Sequence, residues 1–252
     1  MVHEIDYQLI GRDMQAVVIT LDKGETVRAE AGAMMYMDAG IDMETTTGGG
    51  LLKGLKRKLA GESFFITTYT CRTERADVAF AAPYPGHIVP MDLAQTGPVL
   101  AQRDAYLCSA QGIEVTVAFT KRLGAGFFGG EGFILQKLEG NEGLAFIHAG
   151  GTVMERELGQ GEHVMVDTGC LVAFQESVDY DITLAKGVKS ALFGGEGLFL
   201  AKLTGPGKVW LQTLPFSRLA DRIMSAGGGS KGQVKRGRSL GGLAGDLISG
   251  DD

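Results

Sequence analysis

Cysteine, proline and tryptophan are scarce in this sequence. Its 252 residues include three cysteines, six prolines and one tryptophan. The cysteines, Cys71, Cys108 and Cys170, are far apart and lie in apolar stretches, so we interpret them as small buried side chains in a reducing compartment. Six prolines are too few for proline-rich linkers. The sequence is therefore not that of a small secreted domain held together by disulfides.

Long apolar runs and an excess of positive charge are also missing. No segment approaches the roughly 18 consecutive apolar residues of a membrane-spanning helix. The N-terminus at 1–6 lacks the basic start and the apolar core of a secretory signal. The formal net charge of −6 argues against general nucleic-acid binding, which usually needs a basic face. We therefore expect a cytoplasmic protein without a nucleic-acid partner.

Glycine is abundant, with 39 residues, and it separates many short segments of alternating apolar and polar residues. Such alternation is typical of half-buried strands, and the glycine-rich segments between them are typical of turns. With 44% hydrophobic residues, the chain can bury a large core. The pattern predicts an all-β sandwich or barrel with strands at 15–21, 29–37, 64–69, 114–120, 133–138, 164–166, 171–174 and 181–184.

One pattern of about seventy residues occurs three times. Its clearest marker is a Gly-Glu pair whose glutamates, Glu62, Glu131 and Glu196, are 69 and 65 residues apart. Two sets of apolar residues repeat at spacings of 72 and 65, namely Val27, Val99 and Val164, and Ile41, Ile113 and Val178. Nearly constant spacing predicts three equivalent β-sandwich-like or barrel-like units. We place these copies at about 14–85, 86–150 and 151–219.

The three copies are expected to form one domain, residues 1–226, around a pseudo-threefold axis, because no linker separates them. Ser217 is predicted to cap a short C-terminal helix over 218–224. Residues 227–252 are predicted to form a flexible, glycine-rich tail, whose basic stretch at 231–238 is interpreted as solvated.

A glycine-rich, weakly basic connector divides each copy, and by symmetry the three should emerge at one end of the molecule. The first connector, 48–60, has leucines at helical spacing with four basic residues between them, Lys53, Lys56, Arg57 and Lys58. This amphipathic pattern is compatible with an anionic membrane surface. We prefer packing over the barrel or in a subunit interface, since the run is short and Gly54 weakens a helix. The other two connectors carry the aromatic candidates Phe127, Phe128 and Phe193.

The repeated glutamates Glu62, Glu131 and Glu196 are the most regular polar feature of the sequence. Three carboxylates around an axis could bind a cation through their oxygen atoms. We prefer a structural role, in which each carboxylate accepts hydrogen bonds from glycine N–H groups or pairs with a basic residue. In that interpretation the glutamates fix the geometry of the connectors.

The sequence contains no recognisable catalytic, metal or cofactor motif. Residues 124–129 fit GxGxxG, but a strand pattern rather than a helix pattern follows, so we reject a dinucleotide site. The four histidines lack metal-ligand spacing, and we interpret His148 as a satisfied or edge residue. A nucleophilic triad lacks support because GxSxG is absent and serine is sparse. We therefore expect no enzyme activity, cofactor or metal.

Three segments, 48–65, 127–138 and 193–203, resemble the signature of the uncharacterised prokaryotic family related to the mitochondrial biogenesis (altered inheritance of mitochondria) proteins. The resemblance spans about residues 1–220. It implies three fused domains like the tryptophan RNA-binding attenuation protein, homotrimers, and no established enzyme activity. Mitochondrial relatives are associated with inner-membrane organisation. No tryptophan or RNA site is carried over, because this chain lacks a regular grid of basic residues and fold alone does not give function.

Two functions remain open from the sequence. The preferred one is a non-enzymatic scaffold or interaction protein, with a protein partner or an anionic membrane surface beside it. The alternative is a small-ligand binding module with sites between repeats or subunits. Exposed edge strands need partners, so we expect a homo-oligomer, most simply a trimer.

Overall fold

Nineteen strands make up most of the part of the chain that the computed structural model describes, which is residues 2–46, 66–121, 133–184 and 199–226. The all-β class predicted from the sequence is confirmed. The chain divides after Arg218 into two compact units, and only residues 219–226 of the second unit are described. The predicted tail at 227–252 lies outside the described residues.

The strands follow one another with short turns, apart from the segments that are not described. They are β1 (Asp6–Ile10), β2 (Ala16–Asp22), β3 (Thr26–Glu30), β4 (Met34–Met37), β5 (Ile41–Thr46), β6 (Ile66–Cys71), β7 (Arg75–Ala81), β8 (Gly86–Asp92), β9 (Val99–Gln102), β10 (Tyr106–Ala110), β11 (Glu114–Lys121), β12 (Phe133–Glu139), β13 (Leu144–Gly150), β14 (Val153–Leu158), β15 (His163–Asp167), β16 (Leu171–Gln175), β17 (Asp179–Leu184), β18 (Phe199–Thr204) and β19 (Gly207–Gln212). Among the described residues, the helical segments are α1 (Leu93–Thr96), α2 (Phe216–Ala226) and the 3₁₀ turns Arg103–Ala105 and Thr168–Cys170.

In the described part of the chain, each copy contributes six strands, β2–β7, β8–β13 and β14–β19, and one pairing pattern recurs in all three. The first strand pairs with the sixth, and the sixth pairs with the third. The second strand pairs with the fifth, and the fifth pairs with the fourth. The equivalent residues Ile41, Ile113 and Val178 are buried at the start of the fourth strand or directly before it. This topology agrees with a triplication, whereas the pseudo-threefold axis stays a prediction.

The sheets combine strands from neighbouring copies, so the copies are interlocked. One six-stranded sheet has the order β5-β6-β3-β10-β13-β8, with three strands from the first copy and three from the second. The other has the order β11-β12-β9-β16-β19-β14 and joins the second copy to the third in the same way. A four-stranded sheet, β1-β2-β7-β4, and a three-stranded sheet, β15-β18-β17, hold the remaining strands.

Apolar side chains from facing sheets form the core. In the first copy, Val17 and Ile19 of β2 share a core with Val27 of β3, although the two strands lie in different sheets. The rings of Tyr69 and Phe80 meet edge to face across the same interface, with centroids 5.2 Å apart. Each fully buried side chain of this size contributes about 1.5–3 kcal/mol to folding. A strand with one face toward a core therefore needs apolar residues at every second position.

Two local predictions were wrong. The single strand expected at 29–37 is divided between β3 and β4, because the chain turns at Gly32, with φ +90°, and passes from one sheet to another. Helix α2 begins at Phe216, so Ser217 lies inside its first turn and does not cap it. The Phe216 ring packs 5.3 Å from the Tyr84 ring, and this contact holds the residue at which the helix starts.

Candidate interaction surfaces

The ten residues singled out from the sequence all lie outside the described part of the chain. They are Lys53, Lys56, Arg57, Lys58, Glu62, Phe127, Phe128, Glu131, Phe193 and Glu196. The roles of the basic connector, the aromatic residues and the repeated glutamates stay predictions. Other residues form the candidate surfaces of the described part of the chain.

Neighbouring copies are joined by pairing the second strand of one copy with the third strand of the next. Strand β3 pairs antiparallel with β10, and β9 pairs antiparallel with β16. The register is the same at both junctions, because Cys108 lies opposite Ala29 and Ala173 lies opposite Ala101. These two pairs are related by the repeat spacings of 72 and 65. The fold therefore has one standard way of joining copies.

The third strand of each copy also carries an irregularity at the same place. The register against the sixth strand shifts between Met34 and Tyr36 in β4, and at the equivalent points in β10 and β16. The extra residues are Met35, Leu107 and Val172. A bulge bends its strand and increases the local twist. Strands β4, β10 and β16 are thus equivalent in detail.

Strand β4 is nevertheless exposed where its equivalents are buried. It ends its sheet, and its side chains Met35 and Tyr36 are 58% and 46% exposed. The equivalent residues Leu107 and Cys108 are 3% and 0% exposed, because β3 covers the edge of β10. Exposed apolar edge strands are sites of further strand pairing.

Strand β15 shows the same contrast at the other end of the chain. It ends the three-stranded sheet, and Met165 is 48% exposed, whereas the equivalent Leu100 of β9 is 7% exposed. Val166 points into the core of its own copy and is buried. At the end of β15, the Asp167 carboxylate pairs with the Arg218 guanidinium at 2.5 Å. The two strands that lack their standard neighbour are therefore the third strand of the first copy and the second strand of the third copy.

A partly buried polar cluster lies at the junction between the first and second copies. Glu30 ends β3, and burial raises the pKa of its carboxyl to about 7, with a further rise from the Asp104 charge and a partial offset from Arg103. Burial also raises the pKa of Tyr84 to about 12, and the charges of Asp104 and Glu30 add to the shift. A carboxyl that changes charge near neutrality is typical of functional sites, although structural networks also produce it.

His148 belongs to the same region. Its ring lies edge to face against Tyr84, with centroids 4.6 Å apart. Burial lowers the pKa of His148 to about 4, and the His87 charge adds to the effect. The buried Nδ1 atom of His148 has no hydrogen-bond partner, and β13 lies between β10 and β8. His148 is therefore not an edge residue, since β13 is internal to its sheet, and it is partly satisfied, because a backbone hydrogen bond with Tyr84 accompanies the unpartnered Nδ1.

The described residues 2–46, 66–121, 133–184 and 199–226 contain no group of three or more histidine, cysteine, aspartate or glutamate side chains placed to hold a metal ion. Cys71 and Cys108 are buried and Cys170 is partly buried, and all three are free thiols. Over the same residues, no helix combines the length and the apolar character needed to cross a bilayer.

Comparison with known proteins gives the family. A family model for the mitochondrial biogenesis protein AIM24 matches residues 7–214. The chain belongs to the AIM24 mitochondrial biogenesis family. The resemblance recognised in the glycine-rich segments of the sequence is thereby confirmed, whereas the likeness to the attenuation protein stays an expectation.

Two similar proteins extend the family assignment. An uncharacterised protein of Streptococcus pyogenes serotype M6 is 27% identical over 223 residues, which cover 85% of this chain and 88% of that protein. The crystal structure of a protein from Streptococcus pyogenes matches with a TM-score of 0.73 at 23% identity, covering 88% of this chain and all of that chain. At this identity the structural match supports the shared fold alone.

Proposed function

We propose that this AIM24-family chain is a non-enzymatic scaffold that binds proteins, including further copies of itself, through the open edges of its sheets. The observation that carries the proposal is the exposure of Met35, Tyr36 and Met165 on strands whose equivalents are buried between copies. Covering such apolar area contributes about 25 cal/mol per Å². A trimer remains the favoured assembly, and the cytoplasm remains the expected compartment.

Light scattering coupled to size-exclusion chromatography tests the proposal. The full chain has a mass of 26.7 kDa, so a trimer is resolved easily from a monomer. We expect an oligomer at micromolar concentration that persists in high salt, because apolar contacts are not screened by ions. A single species at the monomer mass over a hundredfold concentration range would contradict self-association.

A second candidate function is small-ligand binding at the junction between the first two copies. The observation that favours it is the grouping of Glu30 and Tyr84 with the Arg103–Asp104 ion pair, 3.4 Å between Nε and Oδ1, which places charges of both signs where a zwitterion such as an amino acid could bind. A thermal-shift screen with amino acids tests this candidate. A saturable rise in melting temperature that disappears in Glu30→Gln supports it, and no shift with any amino acid counts against it.

A further inference from the structure

The two internal junctions share one strand register, and the repeat spacings allow it to be applied to the two edge strands β4 and β15. The first pairs Cys108 with Ala29, Ser109 with Arg28 and Ala110 with Val27. The second pairs Ala173 with Ala101, Phe174 with Leu100 and Gln175 with Val99. Adding 65 to the residues of β10 and 72 to those of β3 converts the first set into the second without any slip.

Each junction ends in a backbone hydrogen bond, and the two bonds are related by the same repeat spacings. The N–H of Gln111 donates to the carbonyl oxygen of Thr26 at 3.0 Å. The N–H of Glu176 donates to the carbonyl oxygen of Pro98 at 3.0 Å. Both bonds follow directly after the last side-chain pair of the register. In an antiparallel ladder this arrangement makes Ala110–Val27 and Gln175–Val99 non-hydrogen-bonded pairs, whose Cα atoms lie about 4.5 Å apart.

We infer that β4 of one molecule pairs antiparallel with β15 of a second copy of this chain. The repeat spacings give the register, in which Tyr36 lies opposite Val166, Met37 opposite Met165, and Asp38 opposite Val164. The N–H of Ala39 then donates to the carbonyl oxygen of His163. This inference rests on the proposed self-association and specifies the two surfaces that carry it.

The side chains at the two edges fit this pairing, in which the partly buried Met37 lies opposite the exposed Met165. Met37 and Met165 occupy the positions of Phe174 and Leu100, which form an apolar pair at the second junction. Apolar pairs directly across two strands contribute about 0.2–1 kcal/mol each. Tyr36 and Val166 are larger than the residues at the equivalent positions of the internal junctions, which are Cys108 with Ala29 and Ala173 with Ala101. The side-chain contact at this junction is therefore bulkier than at the internal ones. Met35 lies on the bulge beside Tyr36. Because its equivalent Leu107 is buried beside the neighbouring copy, we expect the second molecule to cover Met35 as well.

Each molecule offers one β4 edge and one β15 edge, so the contact is head to tail. Such heterologous contacts generate a ring when the rotation closes and a filament when it does not. In the described fold β4 and β15 end different sheets and are not paired with each other. Further copies of the chain can therefore supply a paired strand for both edges.

Disulfide cross-linking tests the register. The variant Asp38→Cys with Val164→Cys places two thiols at a non-hydrogen-bonded pair, within the Cα separation of about 4.4–6.8 Å that a disulfide spans. Cys170→Ser removes the partly exposed native thiol, while the buried Cys71 and Cys108 stay. We expect covalent dimers and larger species on non-reducing gels after mild oxidation. The matched control, Asp38→Cys with Met165→Cys, puts the thiols on opposite faces and should cross-link at least tenfold less.

Single variants test the direction of the contact. Asp38→Cys and Val164→Cys should each remain uncross-linked when alone and should give only covalent dimers when mixed. Dimers from Asp38→Cys alone would indicate that two β4 edges meet, and a disulfide confined to the monomer band would indicate pairing within one chain. Either result overturns the inference.

Light scattering of the wild-type protein separates this inference from the function on which it rests. A monomer contradicts both, whereas an oligomer without the register-specific disulfide leaves self-association standing and removes the β4–β15 contact. If the cysteine variants fail to fold, hydrogen exchange of the wild-type oligomer gives the same answer. The backbone amides of β4 and β15 should then be protected as strongly as those of β10 and β9, and fast exchange at both edges would overturn the pairing.

Discussion

Met35 and Leu107 occupy the same bulge position in two copies of one fold, yet Met35 is 58% exposed and Leu107 is 3% exposed. The difference comes from their neighbours, because β10 has β3 on its free side and β4 ends its sheet. Whether this side chain is buried therefore depends on whether its copy is the first or the second in the chain. The proposed self-association rests on the same difference.

Truncating these two side chains should have different effects. Leu107→Ala should lower the free energy of unfolding by about 2–5 kcal/mol, since it leaves a cavity in the core. Met35→Ala should change it by no more than about 0.5 kcal/mol in dilute, dissociated protein, but it should weaken self-association. Urea unfolding and light scattering measure the two quantities. Equal losses of stability in the two variants would contradict the assigned exposures.

Clear alternation made strands such as β2 predictable from the sequence, whereas β10 and β13 were not predicted. Burial on both faces does not by itself hide a strand, since the internal strand β16 was predicted at 171–174. In β2, Val17, Ile19 and Leu21 alternate with partly exposed residues, so the period of two is visible. Strands β10 and β13 are internal to a six-stranded sheet and almost wholly buried, so their sequences read as continuous apolar runs. Strand β8 contains Pro90, which a sheet tolerates because β8 lies at an edge.

The candidate surfaces were missed for a related reason. The residues chosen from the sequence marked the connectors, whereas the exposed edges are third and second strands whose local pattern resembles that of their buried equivalents. An alignment of the copies does hold a signal, since Met35, Tyr36 and Asp38 are bulkier or more polar than Leu107, Cys108 and Ala110. The repeat itself is visible in the sequence, and the differences between its end copies and its middle copy mark the open edges.

The Glu30 carboxyl makes stability depend on pH. Its pKa is raised from 4.5 to about 7, so between these values the folded chain holds a proton that the unfolded chain has released. Stability should therefore fall as the pH rises through this window. Glu30→Gln should remove the dependence and be the more stable protein at pH 8, by at most about 3 kcal/mol before solvent screening is considered.

Urea unfolding at pH 5 and pH 8 measures the Glu30 effect. The exposed Glu44 supplies the control, because Glu44→Gln should leave the difference between the two pH values unchanged. Parallel pH profiles of the wild type and Glu30→Gln would show that the carboxyl is not desolvated at the junction.

His148 should act in the acidic range. Its pKa is lowered from 6.5 to about 4, so below pH 6.5 the unfolded chain gains a proton that the folded chain excludes. Stability should fall as the pH drops from 6.5 to 4. His148→Gln should flatten this part of the profile, because Gln212 occupies the equivalent position of the third copy and donates to the carbonyl oxygen of Gly169 at 2.8 Å. The control is His163→Gln, at an exposed site. If the stability profile of His148→Gln were as steep as that of His163→Gln between pH 6.5 and 4, the prediction would be contradicted.

Gly86 tests how closely the polar cluster is packed. A Cβ atom at this position would collide with the carbonyl oxygen of Ala149 and would lie 2.5 Å from Nε2 of His148. Neither atom can move easily, since Ala149 is paired within β13 and His148 is buried against Tyr84. Gly24 is the control for backbone strain, because its φ of +89° disfavours alanine although no atom lies within 4 Å of the added carbon. Gly24→Ala should therefore cost about 1 kcal/mol from backbone strain alone, and Gly86→Ala should cost several times more in urea unfolding. A Gly86→Ala protein as stable as Gly24→Ala would mean that β8 and β13 are not held at the separation described, and the grouping of Tyr84 with His148 would fail with it.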